Sequence, residues 1–426
     1  MRIFLKNSLK YTISLATSLI GSEAFKFSSS LYIFKVTGDF WLVTILYLLI
    51  QIPNLIVYLF SSKIIQKWKN SKLALLNSDL LSIFSLLLLL IIFFSIKNPL
   101  IFSFSIILIL INTLLGFIHS FRFIYLKDIV YYLSNNKMEM TNLNIFSTFA
   151  AAIGFLISAV FSIILYSNLD FHWLISFNIL TYLTSGILYF SLKFNKIKFD
   201  FVKNEEELDK IVNKNTIFYK WLLILAGNLI IGIFLIPRTT IIPQFFTYIN
   251  SESKSKVFNF QSWATYLNLF FSFLSVLGSV LTFLITNKTK IKINFKLVVI
   301  AIVLLNLSWL FSIFLNNLNL RFYFYVTIIG LQQILFSLFL PVFYSSTYTL
   351  FDKKKFHQQN GISLVFRIIF YSFISIITTT ISIYVSFYFS FLFFSIIISL
   401  LGLITIFSYS KLQKNSAKLK ESLQNK

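Results

Sequence analysis

From Ile362 to Ser410 the chain carries a single charged residue, Arg367, in 49 consecutive positions. As one helix rising 1.5 Å per residue, that stretch would reach about 70 Å, more than twice the hydrocarbon thickness of a bilayer. It must therefore turn back once, and the turn is expected near Val385 to Phe389. A ruler of about 20 mostly apolar residues finds ten more candidate spans upstream, at residues 11–34, 40–60, 73–95, 99–120, 143–166, 173–192, 219–241, 258–285, 297–315 and 322–345. With 362–384 and 388–409 they make twelve, so the expected fold class is an all-α integral membrane protein. The first span follows a basic start, but its length, its internal Glu23 and Lys26 and the lack of a small-residue cleavage site mark it as a retained helix rather than a signal peptide.

The charge balance fits the same reading. There are 37 basic and 14 acidic residues, a formal charge of +23, which in a soluble chain would point to nucleic acid. Sorted by segment, 29 of the basic residues fall on the side that holds both termini, 5 fall in the opposite loops, and Lys26, Arg238 and Arg367 lie within spans. Lys and Arg concentrate on the cytoplasmic side, so both termini are expected there. The basic loops are expected to meet anionic lipids, and no nucleic-acid partner is expected. Cysteine is absent and the three histidines, His119, His172 and His357, are scattered. Thiol chemistry is excluded, and neither a metal site nor a cofactor is expected.

The longest polar segment, around Asn204-Glu205-Glu206-Glu207-Leu208-Asp209-Lys210, divides the spans six and six. The expected organisation is a first six-helix bundle over 1–192, a linker over 193–218, a second bundle over 219–410 and a basic tail over 411–426. Lys137 to Asn142 before helix 5 and Lys355 to Asn360 before helix 11 occupy matching places in the two halves, as a repeated bundle would have them.

Two six-helix halves, a long linker and short motifs together resemble the major facilitator superfamily, in particular its drug, macrolide and siderophore exporters. The motifs are Thr37-Gly38 after helix 1, Asp79 early in helix 3, Leu126-Lys127-Asp128-Ile129-Val130 after helix 4 and Asn142 opening helix 5. The loop from Ser61 to Lys72 keeps that family's basic character without its Gly and Asp, and helix 5 has Ala159 where its antiporters carry Pro. The resemblance implies two pseudo-symmetric six-helix bundles, alternating access, and proton-coupled efflux of an amphipathic small molecule. It also implies a bacterial cell membrane as the location and a monomer as the working unit.

Two acids fall inside spans. Asp79 lies near one end of helix 3, where a structural partner is expected. Glu23 lies near the middle of helix 1, and an acid at that depth is a functional candidate by default. Lys26 follows at i+3 on the same face, so the pair is either a self-neutralising bridge or the proton-coupling site. Asn112, Asn228, Gln332 and Gln333 are candidate substrate ligands, although amides also tie helices together. Arg238, between Pro237 and Pro243, is either a contact for an anionic group or an interfacial side chain, and Pro341 marks a further bending point. Asp128 joins these as a gating or structural candidate on the resemblance. Ala150, Gly154, Ser158 and Ser162 form a small-residue stripe expected at the interface between the halves.

No catalytic residue emerges. His119-Ser120 cannot act as base and nucleophile, since adjacent helical residues point about 100° apart. No Gly-x-x-x-x-Gly-Lys-Ser/Thr loop occurs, which disfavours a nucleotide-driven pump. A transporter is the expected class; a flippase for lipid-linked saccharide and a facilitator without proton coupling stay open.

Overall fold

The computed structural model describes residues 2–96, 102–134, 137–168, 170–193, 214–234, 236–237, 260–287, 294–315, 317–350 and 356–424. The chain forms helices α1 (Arg2–Thr37), α2 (Phe40–Gln51), α3 (Asn54–Leu59), α4 (Ser61–Lys67), α5 (Ser71–Ser95), α6 (Phe102–Leu133), α7 (Lys137–Asn168) and α8 (Phe171–Phe190). In its second part come α9 (Lys214–Ile233), α10 (Phe260–Asn287), α11 (Phe295–Leu307, continued by a tighter turn over Ser308–Phe314), α12 (Leu318–Leu350), α13 (Phe356–Tyr384) and α14 (Phe387–Gln424).

Several breaks follow from local chemistry. Gly38 at φ +65° ends α1, a conformation that other residues rarely adopt, and Asp39 caps α2 by accepting the Trp41 amide hydrogen at 2.8 Å. Pro53 has no amide hydrogen to give, and the second span breaks there between α2 and α3. The long apolar run turns back between Tyr384 and Phe387, inside the expected window. Pro341 lies within an unbroken α12. The Ser337 carbonyl, which Pro341 cannot serve, accepts a hydrogen bond from Thr282 Oγ1 of α10 at 3.2 Å.

Among the described residues, ten helices are long and apolar enough to cross a membrane. Two further helices stand in the places of spans 1 and 9. α1 is longer but diluted by hydroxyl residues, Glu23 and Lys26, and the apolar segment Phe295–Phe311 is shorter. The side chains are distributed inside out on α5. Ser71, Ser78, Asp79, Ser82 and Ser85 are buried, while Leu80, Leu81, Phe84, Leu87, Leu88 and Ile91 face outward. Water would penalise such a surface and lipid does not, so the protein is an integral multi-pass membrane protein.

One apolar core is built entirely from α1, α2, α5, α6 and α8, around Phe25, Leu86, Phe104 and Ile175. Another is built entirely from α9 to α14, around Ile230, Phe271, Phe339 and Phe394. In the latter, Trp309 stacks on Phe391 at 4.0 Å and on Tyr325 at 5.0 Å between ring centroids. The two groups of helices meet where α7 packs on α10 and α12, and where α13 packs on α2 to α4.

Two smaller cores join the groups at the end of the bundle that carries the basic loops. One combines Tyr11, Leu126 and Leu133 with Ile224 and Leu350; the other combines Val57, Tyr58 and Ile124 with Leu364 and Ile368. At this basic end the start of α13 lies almost against α3 and α4. A Cβ on Gly361 would stand 2.3 Å from the Tyr58 carbonyl oxygen and 2.5 Å from Ser61 Oγ, and Ser61 Oγ donates to the His357 carbonyl at 2.9 Å. Gly361→Ala is therefore expected to loosen this seam by about 1–3 kcal/mol, seen as a lower melting midpoint of the purified protein.

Some sequence boundaries shift. Arg122 and Lys127 were expected in a loop after a fourth span ending near residue 120, yet both lie inside α6. Charge suggested a loop, but in the folded chain each side chain meets protein. Arg122 pairs with Asp79, and Lys127 Nζ sits 3.6 Å from the ring centroid of Tyr344.

Candidate functional site

A cavity of about 440 Å³ lies between the two groups of helices. It runs from Tyr58 and Tyr344 near the basic end to Phe34 and Val43 near the opposite end. Its wall is mostly apolar, with four residues of basic or acidic type, Glu23, Lys26, His119 and Arg367.

α1 contributes the ion pair. Lys26 Nζ donates to Glu23 Oε1 at 2.7 Å, and the two side chains keep 25% and 18% of their surface exposed. They are thus in contact with the cavity rather than sealed in a core. The i+3 spacing brings them together on one helical face. α6 contributes Asn112, whose amide donates to Ser29 Oγ at 3.1 Å and to the Leu108 carbonyl at 2.8 Å. α13 contributes Arg367, and α8 and α12 contribute Tyr182 and Tyr344.

The other candidates sit elsewhere. Asn228 lies in the seam between α9 and α13, donating to Ser363 Oγ at 3.3 Å. Gln332 ties α12 to α11 through Asn306 Oδ1 at 2.9 Å, and Gln333 ties α12 to α10 by accepting from Ser275 Oγ at 3.2 Å. None of the three is among the residues lining the cavity. Gly154 faces α1, where a Cβ would stand 2.7 Å from Leu19 Cβ. The stripe at this point therefore serves packing within the first group of helices rather than the interface between groups. Ser158, one turn on, reaches the cavity wall. Asp128 falls within α6 and Pro237 is buried just beyond α9, whereas Arg238 and Pro243 lie outside the described residues.

Asp79 is 3.0 Å from Arg122, and the two side chains are 1% and 2% exposed. Ser185 Oγ donates to the second carboxylate oxygen at 2.8 Å, and the guanidinium lies over the rings of Tyr189 and Tyr182 at 5.1 and 5.7 Å. This cluster joins α5, α6 and α8 behind the cavity wall. The sequence pointed to Asp79 but not to Arg122. His119 and Arg367 were visible as isolated polar residues in apolar stretches, with nothing in their spacing to show that they face one cavity.

No protein-family model matches the sequence, and no curated protein matches it significantly. Solved structures do. A bacterial homologue of the iron transporter ferroportin, in an outward-facing state, superposes with a TM-score of 0.67 at 13% identity over 96% of this chain and 100% of its own. The same type of protein with soaked iron gives 0.67 at 12% identity over 95% and 99%. A mutant of the nucleoside transporter NupG gives 0.58 at 13% identity over 96% and 100%. The likeness spans nearly the whole of each chain and is one of fold: this chain has the major facilitator fold.

Proposed function

We propose that the protein is a secondary transporter that moves a small molecule by alternating access and couples the movement to protons through Glu23. The observation that carries this reading is the cavity between the two groups of helices, with the Glu23–Lys26 pair partly exposed on its wall. The apolar seams at the basic end join the two groups of helices there, and alternating access requires such contact at one end at a time. The fold points the same way, since the solved structures that share it are described as transporters or a transporter homologue. The direction we favour is efflux of an amphipathic molecule in exchange for protons, with the basic end cytoplasmic and the protein in a bacterial cell membrane.

The test is reconstitution of the full-length protein in liposomes with an imposed proton gradient. The panel comprises amphipathic drugs, peptides and siderophores, with a fluorescent lipid-linked saccharide as the competing substrate. Gradient-accelerated flux of one soluble class supports the reading. Scrambling of the lipid-linked probe alone would assign a flippase, and flux indifferent to the gradient would assign a facilitator.

A further inference from the structure

We infer that the transported molecule carries an anionic group, carboxylate or phosphate, and that Arg367 receives it at the wall formed by α9 and α13. This rests on the transporter reading and names the substrate class for the same cavity.

The inference starts from charge pairing. Three salt bridges are present among the described residues, and none of them includes Arg367. Asp79 is paired with Arg122 behind the wall, and Glu23, the one acid among the described lining residues, is engaged by Lys26 at 2.7 Å. Apart from His119, the described lining thus holds two basic side chains, Lys26 and Arg367, and one acidic one, Glu23. A cation at membrane depth that meets no acid among the described residues is unfavourable there and persists where it faces a water-filled pathway or a ligand.

The packing presents that cation deliberately. Gly232 of α9 lies beneath the arginine stem, and a Cβ there would stand 2.7 Å from Arg367 Cγ and 3.1 Å from its carbonyl oxygen. With no side chain at 232, α13 can approach closely and the stem is held across the gap. Arg367 is half-buried and on the cavity lining. Ile368 and Tyr371 of α13 and Tyr344 of α12 line the same cavity, giving an apolar and aromatic surround for the rest of an organic ion. A guanidinium offers a planar fork of donors that matches carboxylate or phosphate oxygens in pairs. In a low-dielectric cavity that contact discriminates strongly against neutral analogues.

The chain has no cysteine, so a single introduced thiol reads the local potential without background. Ile231→Cys places it on the cavity wall next to Gly232. In the purified full-length protein the anionic sulfonatoethyl methanethiosulfonate should react faster than the cationic trimethylammonioethyl reagent, relative to a free thiol, by roughly fivefold. Arg367→Gln should remove that preference and Arg367→Lys should keep it, which separates lost charge from misfolding. An unchanged ratio in a folded Arg367→Gln protein overturns the inference.

Protection of the thiol then identifies the source of the anion. Protection by benzoate or glycerol phosphate, weakened about tenfold or more by Arg367→Gln, marks a soluble organic anion. Protection by short-chain phosphatidic acid alone marks a lipid headgroup. Protection by neither anion, or equally by benzyl alcohol and glycerol, refutes the assignment. A preference for the anionic reagent without proton-driven flux would leave this site standing while removing the proton-coupled reading, so the two proposals fail separately.

Discussion

Glu23→Gln is expected to abolish transport driven by a proton gradient while leaving substrate exchange and the melting midpoint near those of the unaltered protein. The glutamate carboxylate lies 2.7 Å from Lys26 and is partly exposed on the cavity wall, where the proposed coupling would act. An amide of the same shape keeps a hydrogen-bond acceptor for Lys26 but can neither take up nor release a proton. If the pair were a structural bridge alone, the variant would lose stability and keep its coupling. Counterflow exchange and proton-driven accumulation, measured on the same liposomes, decide between the two. Normal accumulation by Glu23→Gln would exclude this residue as the coupling site.

Arg122→Met is expected to be the most destabilising of the substitutions considered, at about 3–5 kcal/mol. It would leave Asp79, 1% exposed, without its counter-charge between α5, α6 and α8. Ser185 alone, donating at 2.8 Å, cannot offset a buried carboxylate in that setting. Replacing both partners with apolar side chains, Asp79→Leu with Arg122→Met, should recover most of the loss, because no uncompensated charge then remains. Thermal unfolding of the single and double variants closes the cycle, and a single variant that melts with the unaltered protein would contradict the account. The rings of Tyr182 and Tyr189 against the guanidinium contribute to holding Arg122, and Tyr182 also lines the cavity. The double variant should therefore be assayed for transport as well as stability.

The site was legible in uneven measure. Glu23 and Lys26 stood out because an acid and a base in the middle of an apolar helix are costly, and their i+3 spacing puts them on one face whether as a bridge or as a coupling site. Asp79 stood out as the second acid of the spans. Its partner did not, because Arg122 and Lys127 follow the expected end of the fourth span near residue 120, and two bases there read as the start of a basic loop. The amides Asn228, Gln332 and Gln333 were visible as polar residues in spans, but polarity cannot say whether an amide faces a cavity or a neighbouring helix. Their bonds to Ser363, Asn306 and Ser275 place them in helix seams.

What the sequence determined by itself was the membrane, ten of the twelve expected spans among the described residues, the turn after Tyr384 and the concentration of basic residues at one end. All of these follow from free energies of transfer along the chain, which are local. What only the tertiary structure decided was which face of each helix meets lipid, protein or cavity. Helices that are apolar on every side carry too weak a periodic signal to fix their rotation. The pairing of Asp79 with Arg122, the packing of Gly154 on α1 and the exposure of Arg367 to the cavity therefore appear only once the helices are packed together.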